Sequence, residues 1–323
     1  SRVLFFEKSA FGATYSLDET KIATLVSDGA AYIRFSYRTY GDYDVRISTN
    51  NKTFYTQNTF SLEDNGTTGW SSFVRAINHR GYNGIAPENT LPAYRLSRKM
   101  GFDCAECDVA FTSDGVPVLL HDVTINRTAR NADGTTISGD IAIGNITYSQ
   151  ALEYDFGIWK SPEYAGTKIP TLKQLVTLAR NIGLHLYIEI KADGATQALT
   201  EKCVDVVREC DMLKNVTWTS FSYLALGFVK NYAPDARLAY VLMDGITDNA
   251  IETATAMKTA ENEVVIHSKT HTDAEIAKCI AADLPLEVWT LDSSQEIIAL
   301  DPYISAVSSN SLIAGQVLYE SEY

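Results

Sequence analysis

The 323-residue sequence has no apolar run approaching the roughly 20 residues that a membrane-crossing helix needs. Basic residues are in deficit, 27 Lys and Arg against 40 Asp and Glu, for a formal net charge of −13. That balance argues against a nucleic-acid backbone or an anionic membrane surface as the main partner. Cysteine is sparse and unpatterned: Cys104, Cys107, Cys203, Cys210 and Cys279 are odd in number and lack framework spacing. Cys104 and Cys107 lie three apart, so on a strand they face opposite ways. Cys203 and Cys210 lie two helical turns apart on one face, and all five are expected to be small apolar fillers. Internal repeats and low-complexity segments are absent. An initiator Met is missing as well, since the chain opens "SRVLFFEKS". This reads as a processed or trimmed start, and the lack of a leader therefore carries little weight.

What is present is enough apolar residue, 46%, to bury a full core. The length fits one large barrel or two domains. Residues 1–70 are rich in Thr, Ser, Asn and Tyr, with short alternating stretches such as "AYIRFSYRTY" and "YDVRISTNN". They read as a small all-β accessory module, and "EDNGTTG" marks its boundary. From residue 74 to 323 the pattern alternates strand and helix. The strand candidates are "VRAIN", "DCAECDVAF", "LHLYIEIK", "VTWTSF", "RLAYVLM", "EVVIH", "LEVWTLD" and "ISAVSSN". Between them, "TLPAYRLSRKM" has Thr90 as a cap and Gly101 as a stop. "TQALTEKCVDVVREC" puts Leu199, Cys203, Val206, Val207 and Cys210 on one face. Eight strands in this alternation predict an α/β fold, a (β/α)8 TIM barrel behind the small N-terminal module. Periodicity alone leaves a doubly wound sheet open.

In a barrel, chemistry sits at the C-terminal strand ends. Three such ends carry charged groups: His79-Arg80-Gly81, then Glu106 with Asp108, then Glu189 with Lys191. The last two pairs are spaced i, i+2 and share a strand face. Charged pairs facing a barrel interior are costly unless they bind something. Asp114-Gly115 signals a hairpin. As a two-residue loop it sets Asp108 opposite His121, bringing Glu106, Asp108 and His121 to one face; a three-residue loop breaks that parity. Singly, each feature has an ordinary explanation: a satisfied core histidine, a solvated edge, a surface ion pair. Jointly they gather two histidines, three carboxylates and two cations at one barrel mouth. Three carboxylates without cysteine suit a hard divalent cation, Mg²⁺ or Ca²⁺. Uncoordinated histidines are free for proton transfer, and the cations would neutralise charge developing on an anion. The set fits phosphoryl chemistry better than glycoside hydrolysis, which needs paired carboxylates without a metal.

At this point the sequence resembles the glycerophosphodiester phosphodiesterase family. "HRGYNGIAPENTLPAY", "ECDVAFTSDGVPVLLHD", "INRT", "IPTL", "YIEIK", "TSF" and "VWTLD" occur in the family's order over roughly residues 76 to 310. The resemblance implies a TIM barrel whose divalent cation is held by Glu106, Asp108 and Glu189. It implies His79 and His121 as the acid/base pair, and Arg80 and Lys191 as the grip on phosphate. Glu88 would support the site by hydrogen bonding or approach the metal, and Trp289 would line the alcohol pocket. Gly81 and Gly84 would let the backbone and Arg80 approach the phosphate. The segment at about 123–171 corresponds to the family's insertion over the mouth. One departure is the last strand, "ISAVSSN", where the family has a Gly-Ile-Ile-Thr-Asp-like end.

The implied function is metal-dependent hydrolysis of glycerophosphodiesters to glycerol phosphate and an alcohol. Two alternatives stand beside it: a lyase that leaves a cyclic phosphate, and a surface attachment protein with a vestigial barrel. The partner expected is a small glycerophosphodiester or a polyglycerol-phosphate-type substrate, with no nucleic acid and no transmembrane segment. Glycan or cell-surface contact would run through residues 1–70, in an extracellular or surface setting.

Overall fold

A computed structural model describes residues 75–191, 196–293, 296–297, 300–301 and 303–310, with the backbone of 6–7 and 16–17. The chain divides into two compact units, residues 1–73 with 319–323, and residues 74–318. In the first unit Phe6–Glu7 pairs antiparallel with Ser16–Leu17. The rest of the β module expected at 1–70 lies outside the described residues.

The second unit is a closed barrel of eight parallel strands. These are β1 (Arg75–Asn78), β2 (Cys104–Phe111), β4 (His185–Ile190), β5 (Val216–Ser220), β6 (Arg237–Leu242), β7 (Val264–Ser268), β8 (Leu286–Val288) and β9 (Ile304–Ser309). β9 pairs with β1, and β1 with β2, which closes the ring. Strands such as "VTWTS" and "VVIHS" are buried at every residue, as a parallel sheet sheathed in helices requires. Seven helices accompany them among the described residues: α1 (Leu91–Lys99), α2 (Tyr148–Ala151), α3 (Leu172–Ile182), α4 (Gln197–Glu209), α5 (Tyr223–Tyr232), α6 (Asp248–Met257) and α7 (Asp273–Ala281).

The helix signals hold with two adjustments. Gly101 follows α1 with φ +95, the left-handed conformation that glycine adopts without strain. Thr90 occupies the cap position, but its hydroxyl donates to Pro87 O at 2.6 Å and makes no cap bond. In α4 the buried face is Thr200, Cys203, Val204 and Val207, so Val204 takes the place expected for Val206. All five cysteines are free and buried.

The hairpin corrects the sequence-based register. β3 (Pro117–Leu119) runs antiparallel to β2 with Val109 opposite Leu119 and Phe111 opposite Pro117. Thr112 N donates to Val116 O, which leaves residues 113–115 as a three-residue loop. The reason is local: Thr112 Oγ1 donates to Asp114 Oδ1 at 2.5 Å, and Gly115 takes φ +70, the glycine-bulge form of the turn. Leu120, not His121, therefore stands opposite Asp108, its N–H donating to Asp108 O at 3.1 Å. His121 enters the site from the bend beyond β3. The segment that follows packs its own small core of Ile125, Ala129, Ile137, Ile143, Phe156 and Ile169 around Val118 and Leu120.

One pleat deeper than the mouth, the barrel interior is polar. Glu287 accepts from Arg237 Nη2 and Tyr187 OH, each at 2.9 Å, and lies 3.1 Å from His267 Nδ1. Burial alone would raise the Glu287 carboxyl, but Arg237 and His267 bring it down to about 2. The Trp289 ring stacks on His267 (centroids 6.5 Å apart, planes 21° apart) and donates Nε1–H to His267 O at 3.1 Å. This buried network sets the indole at the mouth.

Candidate active site

The i, i+2 spacing places three carboxylates together. β2 pairs with β4 so that Asp108 lies beside Glu189. One oxygen from each of Glu106, Asp108 and Glu189 falls within 4.8 Å of the others. Glu106 is 7% and Asp108 0% exposed. Lys191 Nζ reaches Asp108 Oδ1 at 2.6 Å and Glu189 Oε1 at 2.7 Å, while Arg80 Nε lies 3.3 Å from Asp108 Oδ2. The two cations thus hold opposite oxygens of one carboxylate. Burial would raise the Asp108 carboxyl, yet Lys191 and Arg80 keep it far below the usual range. Glu106 goes the other way. Burial pushes its carboxyl well up, and the charges of Asp108 and Glu189 push it further. Burial and Asp108 likewise raise Glu189. Glu106 Oε1 is buried without a hydrogen-bond partner, which is costly for a carboxylate.

A hard cation answers that arrangement. The donors are all oxygen, the cluster holds more negative charge than its two cations offset, and one Glu106 oxygen is buried without a hydrogen-bond partner. The residues fit a divalent ion of the Mg²⁺ or Ca²⁺ type.

Arg80 is held in the left-handed region at φ 56, which turns its N–H onto Glu106 Oε2 at 2.9 Å. Its Nη1 donates to Glu88 Oε1 at 2.9 Å. Glu88 stands outside the carboxylate cluster, with both oxygens also engaged by Arg127 at 2.7–2.8 Å. Asn89 bridges the site from beneath, donating Nδ2–H to Asp108 Oδ2 at 2.7 Å and accepting from Asp108 N–H at 3.2 Å.

The glycines of this loop serve packing. A Cβ on Gly81, at φ +74, would meet Ala93 Cβ at 2.8 Å and the Ala93 backbone carbon at 3.0 Å. One on Gly84 would meet Asn310 O at 3.0 Å. Their smallness seats the loop on α1 and on the end of β9. Gly81→Ala is expected to destabilise the barrel by about 1–3 kcal/mol and to lower activity, since Arg80 and His79 adjoin it. A thermal melt unchanged from wild type would refute this reading.

The two histidines have unlike partners. His79 Nδ1 lies 2.6 Å from Asn310 Oδ1. Asn310 presents its Nδ2 to Asp292 Oδ2 at 2.7 Å. Because a carboxylate only accepts, the Asn310 oxygen must face His79, and His79 Nδ1 must carry the hydrogen. The Nε2 lone pair of His79, 3.9 Å from Glu106 Oε2, is then free. Burial, and next the Arg80 charge, lower the His79 pKa and favour the neutral ring. His121 Nδ1 instead pairs with the Asp122 carboxylate, at 2.7 Å from Oδ1, and the ring interacts electrostatically with Asp108 and Glu189. At the opposite wall Trp289 meets Phe221 edge-on (centroids 5.6 Å) and lies under Lys269 Nζ at 5.8 Å from its centroid.

His79, Arg80, Glu106, Asp108, His121, Glu189 and Lys191 thus converge, Glu88 joins through Arg80, and Trp289 stands on the facing wall. Sequence reading missed Asn310, Asp292, Asn89, Asp122 and Arg127. Asn89, Asp122, Arg127 and Asp292 had a signal, lying within the "APENT", "LLHD", "INRT" and "VWTLD" blocks. Asn310 had none, for it sits where "ISAVSSN" departs from the family pattern.

Fold and site define a (β/α)8 barrel with a buried three-carboxylate cluster at its mouth, flanked by two oriented histidines. The chain belongs to the glycerophosphoryl diester phosphodiesterase family, whose model matches residues 79–306. It is 30% identical over 173 residues to a glycerophosphodiester phosphodiesterase of Caldanaerobacter subterraneus, covering 53% of this chain and 68% of that protein. It is 40% identical over 133 residues to human glycerophosphodiester phosphodiesterase 1, covering 39% of this chain and only 37% of the human protein. Among solved structures, an Oleispira antarctica phosphodiesterase in complex with the product sn-glycerol-3-phosphate superposes with TM-score 0.64 at 25% identity, over 76% of this chain and 96% of that one. An Agrobacterium tumefaciens glycerophosphodiester phosphodiesterase shares the fold with TM-score 0.59 at 24% identity, over 75% of this chain and 99% of that one. Among the described residues no helix is long and apolar enough to cross a membrane.

Proposed function

We propose that this chain hydrolyses glycerophosphodiesters to glycerol phosphate and an alcohol, with a divalent cation held by Glu106, Asp108 and Glu189. The observation that carries this reading is the convergence of one oxygen from each of those carboxylates within 4.8 Å, beside Arg80, Lys191 and the two histidines. When bound, the cation would supply charge stabilisation to the phosphoryl oxygens. Arg80 and Lys191 draw the diester phosphate to the centre and offset the charge it gains as the attacking oxygen adds. His79, neutral and with Nε2 free, takes the proton from that oxygen. His121, hydrogen-bonded at Nδ1 to a carboxylate, returns a proton from Nε2 to the departing alcohol oxygen. The Asn310 amide gives His79 orientation without charge. His121 instead has the Asp122 carboxylate beside its Nδ1. Glu88 steadies Arg80.

Trp289 lines the alcohol side. Trp289→Ala is expected to raise KM for glycerophosphocholine about tenfold, the scale of one lost aromatic contact, with a smaller effect on kcat. A fall in kcat at unchanged KM would remove Trp289 from the substrate's ground-state contacts.

Phosphorus NMR of the products tests the reaction class. Glycerophosphocholine, glycerophosphoglycerol and a polyglycerol-phosphate oligomer should each be followed. Glycerol phosphate as the first product supports hydrolysis. A persistent cyclic ester would reassign the site as a lyase, and binding without turnover would make it a vestigial barrel.

A further inference from the structure

His121 and Arg80 are joined by an unbroken line of ion pairs through Asp122, Arg127 and Glu88. From His121 Nδ1 it passes to Asp122 Oδ1 at 2.7 Å, and Arg127 Nε meets the other Asp122 oxygen at 2.6 Å. Arg127 Nη2 also reaches Asp122 Oδ1 at 3.2 Å. The far side of the same guanidinium forks onto Glu88, Nη1 to Oε2 at 2.8 Å and Nη2 to Oε1 at 2.7 Å. Glu88 Oε1 then takes Arg80 Nη1 at 2.9 Å. A planar guanidinium clamped between two carboxylates is a rigid spacer, which a single ammonium cannot imitate.

We propose that Asp122 and Arg127 are positioning residues for the proton donor. Asp122 fixes the ring of His121 with its hydrogen on Nδ1 and its Nε2 toward the departing oxygen. Arg127 fixes Asp122 at a set distance from Glu88, and so His121 at a set distance from the phosphate cation Arg80. The proposal rests on the hydrolytic reading above, with His121 as donor. Neither residue is needed to hold its loop. Ile125 is fully buried, its N–H donates to Ile141 O at 3.0 Å, and Thr128 N–H donates to Ile125 O at 3.2 Å. The side chains of Asp122 and Arg127 are 29% and 44% exposed, so their loss opens no cavity.

Asp122→Asn is the informative change. Asp122 accepts at both oxygens, from His121 on one side and Arg127 on the other. An amide has one oxygen. In the variant either Arg127 loses its partner, or an NH₂ faces His121 and Nδ1 can no longer carry a hydrogen against it.

The test uses the full chain with glycerophosphocholine and with the p-nitrophenyl ester of glycerol phosphate, whose leaving group departs without a proton. Asp122→Asn should lower kcat on glycerophosphocholine on the order of 10²-fold with KM little changed, and should cost far less on the aryl ester. Arg127→Gln should show the same selectivity, and Arg127→Lys a partial recovery. In a His121→Ala background, Asp122→Asn should have no further effect. Equal losses on both esters, or an additive loss in the double variant, would overturn the proposal. Nitrogen-15 shifts of the His121 ring give a readout independent of turnover. Wild type should show Nδ1 carrying its hydrogen against Asp122, a signature that Asp122→Asn disturbs. An identical signature in both would also overturn the proposal. A wild type inactive on both diesters would instead defeat the hydrolytic reading, leaving the ring shifts to decide the positioning.

Discussion

Glu106→Gln, Asp108→Asn and Glu189→Gln are each expected to lower turnover by about 10²–10³-fold, the scale of losing one preorganised electrostatic contact at a reacting centre. Each replaces a donor of the cluster that lies within 4.8 Å of its neighbours, at nearly constant volume. The three should not behave alike in stability. Glu106 is buried with an unpartnered oxygen and a raised carboxyl, so an amide there relieves repulsion and should leave the melt unchanged or raise it. Asp108 is held down by Lys191 and Arg80, and Asp108→Asn leaves two half-buried cations short of a partner. That variant should lose stability as well as activity. Excess Mg²⁺ or Ca²⁺ should restore each only in part. Calorimetry giving wild-type metal affinity in all three would discard the carboxylate centre.

The second large effect separates the histidines by leaving group. A general acid contributes roughly 10²–10⁴-fold where the leaving alkoxide is poor. His121→Ala should therefore lose that factor on glycerophosphocholine and little of it on the p-nitrophenyl ester. His79→Ala should lose activity on both, because a water must be deprotonated whichever group departs. The hydrogen-bond partners argue for this assignment. Asn310 presents a neutral amide oxygen to His79 at 2.6 Å, and Asp122 a carboxylate to His121 at 2.7 Å. Equal losses on both substrates for both variants would defeat the division, and selective recovery of His79→Ala would reverse it.

The barrel was legible because its strands are short, rich in apolar residues and separated by well-marked helices. Every one of the eight expected strands is present. The carboxylate centre was legible for a related reason: side chains two apart on a strand must share a face, so Glu106 with Asp108 and Glu189 with Lys191 could point only one way. What failed was a register fixed by a turn. Thr112 and Gly115 build a three-residue loop where Asp114-Gly115 read as two, and a one-residue difference moved Leu120 into the place given to His121. His121 still reaches the centre, but from a bend, which no strand parity describes. The partners that orient the histidines were least legible. Asn310 meets His79 across 231 positions of sequence and Arg127 meets Glu88 across 39. Such pairings follow from barrel closure and from the fold of the 123–171 segment, not from local pattern.

Chelation followed by reconstitution decides whether this chain is a metal-dependent phosphodiester hydrolase. The full chain, stripped of metal and given glycerophosphocholine, should release no glycerol phosphate by phosphorus NMR. Addition of Mg²⁺ or Ca²⁺ should restore release, and Glu106→Gln should respond to neither at matched concentration. Undiminished turnover in the stripped protein, or none after either ion is supplied to folded wild type, would contradict that assignment.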